Sequence, residues 1–257
     1  MSSRRLIGLI GNPLSHSFSH RFFSDKFSRE GLAEFEHKNF EIQDINQIYK
    51  LLAEHPEMLG FNVTYPYKQR IIPLLNEIDP RATAAGAVNT VKVSWRDGKP
   101  YLLGYNTDID GFRISLDHWL SASVTQALVL GTGGAAGAVR EVLSDRGINP
   151  VQVSRNPSGS CIGYKEVSTE IAQNCLLWIN CTPLGMQPFQ GQKPELDYNT
   201  LTEHHQLYDL VYNPPLTPFM EEGIQRGAQV KNGYDMLVLQ AESSWEIWTR
   251  QVEQSDS

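Results

Sequence analysis

The chain has 257 residues, 40% of them hydrophobic and 20% charged, and a formal net charge of -7. That length holds one large domain or two modest ones, and the composition excludes a fibrous or low-complexity protein. The acidic balance argues against a nucleic-acid binder, and no apolar run reaches the roughly 18–20 residues of a membrane span.

The first element is a buried strand, LIGLI (6–10), followed at once by GNPLSHSFSH (11–20). Hydroxyls and imidazoles crowded at a strand end fit a helix start, a metal site or the rim of a pocket for a polar ligand. SHRFFSDKFSREG (19–31) has helical spacing and a glycine stop, and INQIYKLLAEH (45–55) repeats the pattern. FEHKNFEI (35–42), MLGFNVTY (58–65) and AVNTVKV (87–93) read as strands, and RDGKP (96–100) turns the last into a hairpin with YLLGY.

A second alternation begins near residue 126. QALVLGTGGAAGAVREVLSDRG reads strand, glycine turn, helix, glycine stop, and VQVSRN (151–156), LLWINC (176–181), QLYDLVY (206–212) and AQVKNG (228–233) supply later strands. The apolar segment 236–251 is a closing helix. Such alternation implies parallel βαβ units covered by helices, so we expect two α/β domains meeting near residues 106–125.

Three polar clusters sit at strand ends in the first half: FNVTYPYK (61–68), GAVNTV (86–91) and GYNTDIDGF (104–112). Strand-end loops of an open α/β sheet commonly converge on one crevice. Asn62, Thr64, Asn89 and Asn106 offer neutral donors and acceptors, and Lys68 with Asp108 offers proton chemistry. Oxidising a secondary alcohol by hydride transfer releases a hydroxyl proton, and a lysine can accept it; a surface salt bridge is the other reading of Lys68.

In the second half, Gly131, Gly133 and Gly134 follow a strand and open a helix, where backbone N–H groups and the helix dipole favour a phosphate. A tight turn with no nucleotide is the alternative. The next strand ends in Ser154, Arg155 and Asn156 with no acid. A guanidinium there suits a 2′-phosphate where a carboxylate would repel it, so NADP is favoured over NAD unless Arg155 is only a solvated loop residue.

The N-terminal apolar segment is too short for a signal-peptide core, and Cys161, Cys175 and Cys181 form no CxxC. We expect reduced thiols and a cytoplasmic protein. His16 and His20 stand at i, i+4 without a clear third ligand, so no metal is expected.

GNPLSHSFS, GFNVTYPYK, GAVNTV, GYNTDIDGF, LGTGGAAGAV, INCTPLGM, YDLVYNPPLTPF and NGYDMLVLQA occur in the order found in shikimate dehydrogenases, and the chain resembles that family from about residue 8 to residue 241. The resemblance implies an N-terminal α/β substrate-binding domain (1–110, completed by a C-terminal helix, 236–257) and a Rossmann-like NADP-binding domain (111–235), separated by a cleft. It implies reversible NADPH-dependent reduction of 3-dehydroshikimate to shikimate, a step towards chorismate and the aromatic amino acids, by a monomer or homodimer. Lys68 and Asp108 would transfer the proton. Ser17, Ser19, Asn62, Thr64, Asn89, Tyr212 and Gln240 would bind substrate, with Ser17 and Ser19 on its carboxylate. Gly131, Thr132, Gly133, Gly134 and Ala135 would cradle the pyrophosphate, Ser154, Arg155 and Asn156 the 2′-phosphate, and Leu210 and Gly233 would face the nicotinamide. His20 and Phe23 depart from the family's usual proline and histidine. A quinate/shikimate dehydrogenase using NAD, or a non-catalytic dinucleotide-responsive protein of the same fold, are the competing readings.

Overall fold

The computed structural model describes residues 4–14 and 18–250. Ser15, His16 and Ser17 therefore lie outside the described residues, as does the end of the expected 236–257 helix. The chain forms two compact units, one of Met1–Thr107 with Gln240–Ser257 and the other of Asp108–Leu239.

In the first unit the elements are β1 (Arg5–Gly11), α1 (Phe18–Glu30), β2 (Phe35–Glu41), α2 (Ile48–Glu54), β3 (Met58–Val63), β4 (Glu77–Ile78), α3 (Pro80–Ala85), β5 (Thr90–Arg96) and β6 (Lys99–Tyr105). The sheet order is β2-β1-β3-β5-β6-β4. β1 runs parallel to β2 and β3, but β5 is antiparallel to both β3 and β6. The hairpin expected at residues 96–100 is present and makes this sheet mixed; its Asp97 and Gly98 take positive φ. β5 starts at Thr90 rather than at residue 87: Val88 N–H donates to Lys68 O, in the turn after β3, instead of to a neighbouring strand. Alternation along β1 sends Leu6 and Ile10 into one apolar cluster with Ile48, Leu52, Tyr67 and Ile71, while Ile7 joins Phe23, Phe27 and Trp248 on the opposite face.

Helix α4 (Thr107–Asp117), read from sequence only as a junction, begins at the division between the units. The second unit continues with β7 (Gln126–Leu130), α5 (Gly134–Asp145), β8 (Asn149–Ser154), β9 (Ile162–Gly163), α6 (Thr169–Asn174), β10 (Leu177–Asn180), β11 (Gln206–Asp209), α7 (Pro218–Gln225) and β12 (Gln229–Asn232). Its sheet, β12-β11-β10-β7-β8-β9, is parallel throughout. Trp178, Leu128, Leu207 and Phe219 lead its core. The order reverses at β7, the switch point where open α/β sheets bind ligands at their strand ends.

Helix α8 (Tyr234–Thr249) starts in the second unit and returns the chain to the first at Gln240. Trp248 docks it: the indole lies where a side chain on Gly60 would go, and Nε1–H donates to Val91 O at 2.9 Å. Lys92 Nζ caps the helix by donating to Ile247 O and Arg250 O. Among the described residues no helix is long and apolar enough to cross a membrane.

Candidate active site

In the first unit, the ends of β1, β3 and β6 and the start of β5 lie along one edge of the sheet, because antiparallel pairing brings the start of β5 to the end of β3. Their loops are stitched together: Thr64 N–H donates to Ile10 O at 2.9 Å, Val63 N–H to Asn89 O at 2.8 Å and Asn12 N–H to Tyr65 O at 3.1 Å. Lys68 is half-buried in the turn after β3. The turn is anchored by buried Tyr67, whose hydroxyl donates to Ile42 O at 2.6 Å, and by Val88 N–H on the Lys68 carbonyl.

Asn62 and Asn89 are both buried, and backbone groups fix which way each amide faces. Asn62 Nδ2 points at Asn89 O (3.1 Å), which can only accept; Thr107 N–H, which can only donate, points at Asn89 Oδ1 (2.7 Å). Asn89 Nδ2 then donates towards Gln240 Oε1 at 3.4 Å. Asn62 Oδ1 is left buried with no hydrogen-bond partner among the described residues. An orphaned buried acceptor is costly unless a ligand satisfies it, and a substrate hydroxyl can do so. Thr64 is half-buried, and Ser19 is buried in the first turn of α1. His20 stacks against His37, which is itself stacked on Phe23. Asp108 is buried in the first turn of α4, on the second-unit side of the division from Lys68.

In the second unit, β7 ends in Gly131 with φ +114°, a conformation that L side chains rarely adopt. Gly133 then caps the N-terminus of α5. Thr132 and Gly133 are exposed, Gly134 and Ala135 partly so, and no neighbour crowds Gly133, so the first amides of a twelve-residue helix are open to an anion. Gly131 N–H donates to Val153 O, which brings the glycine turn beside the end of β8. There Ser154 Oγ accepts from Asn156 N–H at 3.2 Å while Arg155 and Asn156 are exposed. Arg155 bears on Tyr164, opposing the upward push that burial gives the phenol.

At the other strand ends, Gly233 lies against Leu210 so closely that a methyl group on it would overlap the Leu210 carbonyl. The two residues expected at one ring are thus adjacent. Tyr212, two residues on, is half-buried, and burial raises its phenol.

A buried cluster centred on Asp209, next to Leu210, carries no assignment from the sequence motifs. Asp209 Oδ1 accepts from Asn180 Nδ2 (2.9 Å) and Val211 N–H (3.0 Å), and its Oδ2 accepts from Thr217 Oγ1 (2.6 Å). Asn180 Oδ1 in turn holds Thr182 N–H and Oγ1. The signal was a lone acid in the apolar run QLYDLVY. Also missed were the hydroxyls of Thr90, Thr107 and Ser244, which meet behind the two asparagines.

Residues 9–91 match the family model for the shikimate dehydrogenase substrate binding domain. The shikimate dehydrogenase (NADP(+)) of Methanococcus maripaludis is 34% identical over 264 residues, which cover 96% of this chain and 92% of that protein. The crystal structure of shikimate dehydrogenase from Aquifex aeolicus superposes with a TM-score of 0.83 at 29% identity, covering 96% of this chain and 92% of that one. That of shikimate 5-dehydrogenase from Thermus thermophilus in complex with NADP(H) and shikimate gives 0.82 at 29% identity, covering 95% and 93%.

Proposed function

Because the chain belongs to the shikimate dehydrogenase family, we propose that it reduces 3-dehydroshikimate to shikimate with NADPH, reversibly, with Lys68 and Asp108 as the proton-transfer pair. The observation that carries the substrate assignment is the orphaned Oδ1 of Asn62, buried beside Asn89 and Gln240: it fits a ring hydroxyl and no apolar ligand.

In this reading Ser17 and Ser19 hold the substrate carboxylate with neutral hydroxyls, and Asn62, Thr64, Asn89, Tyr212 and Gln240 hold the ring. Bound NADPH supplies a hydride to the carbonyl carbon. Lys68 gives its proton to the carbonyl oxygen as that oxygen becomes a hydroxyl, and in the oxidative direction its neutral amine takes the proton back. Asp108 aims the ammonium. The open amides at Gly131–Ala135 support a pyrophosphate site, exposed Arg155 with Ser154 and Asn156 a 2′-phosphate site, and the Leu210–Gly233 surface a planar ring. The same reading puts the enzyme in the cytoplasm, with its three cysteines as free thiols, as a monomer or homodimer.

Lys68→Ala should lower kcat by about 10²–10⁴-fold with a smaller effect on KM, the usual worth of general acid–base catalysis. Near-full turnover in that variant would remove Lys68 from the mechanism. Assaying NADP and NAD with shikimate and quinate in all four combinations tests the rest. NADP with shikimate should give the highest kcat/KM; NAD with quinate doing so would overturn the substrate and cofactor assignment together.

A further inference from the structure

Helix α8 presents Gln240, Ser244 and Trp248 at intervals of four residues, so all three share one face. Gln240 meets Asn89 and Trp248 fills the space over Gly60. Ser244, between them, has no solvent exposure. A buried serine in a helix commonly returns its proton to the carbonyl four residues back, and Ser244 Oγ does so, donating to Gln240 O at 2.9 Å. Alanine would serve as well if that were its whole role.

The oxygen's remaining capacity is spent elsewhere. Ser244 Oγ accepts from Asn62 Nδ2 at 2.9 Å, the shortest of the three contacts that nitrogen makes, the others being Thr90 Oγ1 at 3.0 Å and Asn89 O at 3.1 Å. It also lies 2.8 Å from Thr90 Oγ1 and 3.0 Å from Thr107 Oγ1, which are 3.0 Å from each other. Both threonine hydroxyls donate on to Asn89 Oδ1, at 3.0 and 3.1 Å. All three hydroxyls are buried completely. Each hydroxyl has one proton, and with Ser244's on Gln240 O and both threonines' on Asn89 Oδ1, the three oxygens meet by packing, so Ser244 acts on Asn62 through the N–H it accepts. An amide whose nitrogen is held from behind keeps its oxygen aimed forward, and in Asn62 that oxygen is the orphaned acceptor.

We propose that Ser244 is a positioning residue for the substrate, acting through Asn62 and Gln240. One hydroxyl ties α8 to β3, and so sets both the helix register that delivers Gln240 and the aim of the Asn62 carbonyl. The proposal rests on the assignment of Asn62 to the substrate. It separates two kinds of binding: loss of the hydroxyl loosens the shikimate side and leaves the cofactor side, on the other unit, untouched.

The test is Ser244→Ala, with KM measured for shikimate and for NADP and shikimate affinity measured by calorimetry on the free enzyme. Losing one buried neutral hydrogen bond should weaken shikimate by about 3- to 10-fold, with KM for NADP within about two-fold of wild type. Ser244→Cys keeps the shape of the side chain with a somewhat larger atom that accepts poorly, so it should weaken shikimate at least as much; wild-type affinity in that variant would overturn the proposal even if Ser244→Ala folds badly. In an Asn62→Ala background, Ser244→Ala should cost clearly less than in wild type, because one of the two groups it positions is gone. Full additivity, or equal losses for both ligands, would overturn the role. If Asn62→Ala itself binds shikimate as wild type does, the substrate assignment fails; if Asn62→Ala binds weakly while Ser244→Ala is normal, only the Ser244 inference fails.

Discussion

Asp209→Asn isolates the energetics of a buried carboxylate. Asp209 has no solvent exposure, and desolvation pushes its carboxyl up from 3.8 to about 6, against the pull of donors from Thr217, Val211 and Asn180. The gap between those values, at about 1.4 kcal/mol per pH unit, comes to about 3 kcal/mol of penalty for keeping the group ionised at neutral pH. The folded value lies above the unfolded one. The favourable contribution is therefore complete below about pH 4 and is lost as pH rises through about 6. Asparagine cannot ionise. It keeps an acceptor for Val211 and Asn180, and its amide can donate to the Thr217 hydroxyl once that hydroxyl turns its proton away. Urea denaturation of wild type and variant from pH 4 to 7.5 should show their difference moving by about 3 kcal/mol in favour of the asparagine as pH rises. Every other group titrates alike in both proteins and drops out of the difference. A flat difference, or one of opposite sign, would mean that the three donors outweigh desolvation and would refute the reasoning.

Gly233→Ala should displace the Leu210 carbonyl and raise KM for NADP by about tenfold or more, while shikimate affinity of the free enzyme, by calorimetry, is unchanged. Gly60→Ala forces a methyl into the Trp248 indole and should cost about 1–3 kcal/mol or more in denaturation, because the ring is hydrogen-bonded in place. His37 is buried with neither ring nitrogen hydrogen-bonded among the described residues, and burial depresses it to about 3. Its folded value lies below the unfolded one, so the stability it contributes is present above about pH 6.5 and is lost on acidification. His37→Phe should remove about 3 kcal/mol of acid sensitivity between pH 7 and 4, read by the same denaturation series.

The parts of the site legible in the sequence are those whose chemistry sits at a strand end. Asn62, Thr64, Lys68 and Asn89 stood out as polar residues closing apolar runs, and the glycines of LGTGGAAG needed only their position between strand and helix. The hydroxyl triangle was not legible. A threonine opening a strand, as at Thr90, reads as β propensity, and a serine inside an apolar helix, as at Ser244, reads as filler; their meaning arises only when α8 crosses β3 and β5. Asp209 was visible as an odd acid, yet its partner Asn180 follows from the parallel register of β10 and β11, which pairs those two residues directly. Helices α3 and α4 were missed for different reasons. Six residues are too few to show a helical period, and α4 carries two acids in its first turn, GYNTDIDGF, which drew attention to chemistry rather than shape.

The interrupted first unit has a temporal side. Residues Asp108–Leu239 form a continuous unit, whereas the sheet built from the first hundred residues waits for α8. Trp248 reaches its acceptor on Val91 from 157 residues further along the chain. At about 5–20 residues per second, a ribosome needs roughly 8–30 seconds to make that stretch. For that interval the nascent sheet carries an uncovered apolar face around Ile7, Phe23 and Phe27, and its hydroxyl triangle lacks a corner. A released chain truncated near residue 239 would thus carry a finished second unit tethered to a half-built one, and it should call on chaperones where the full chain does not.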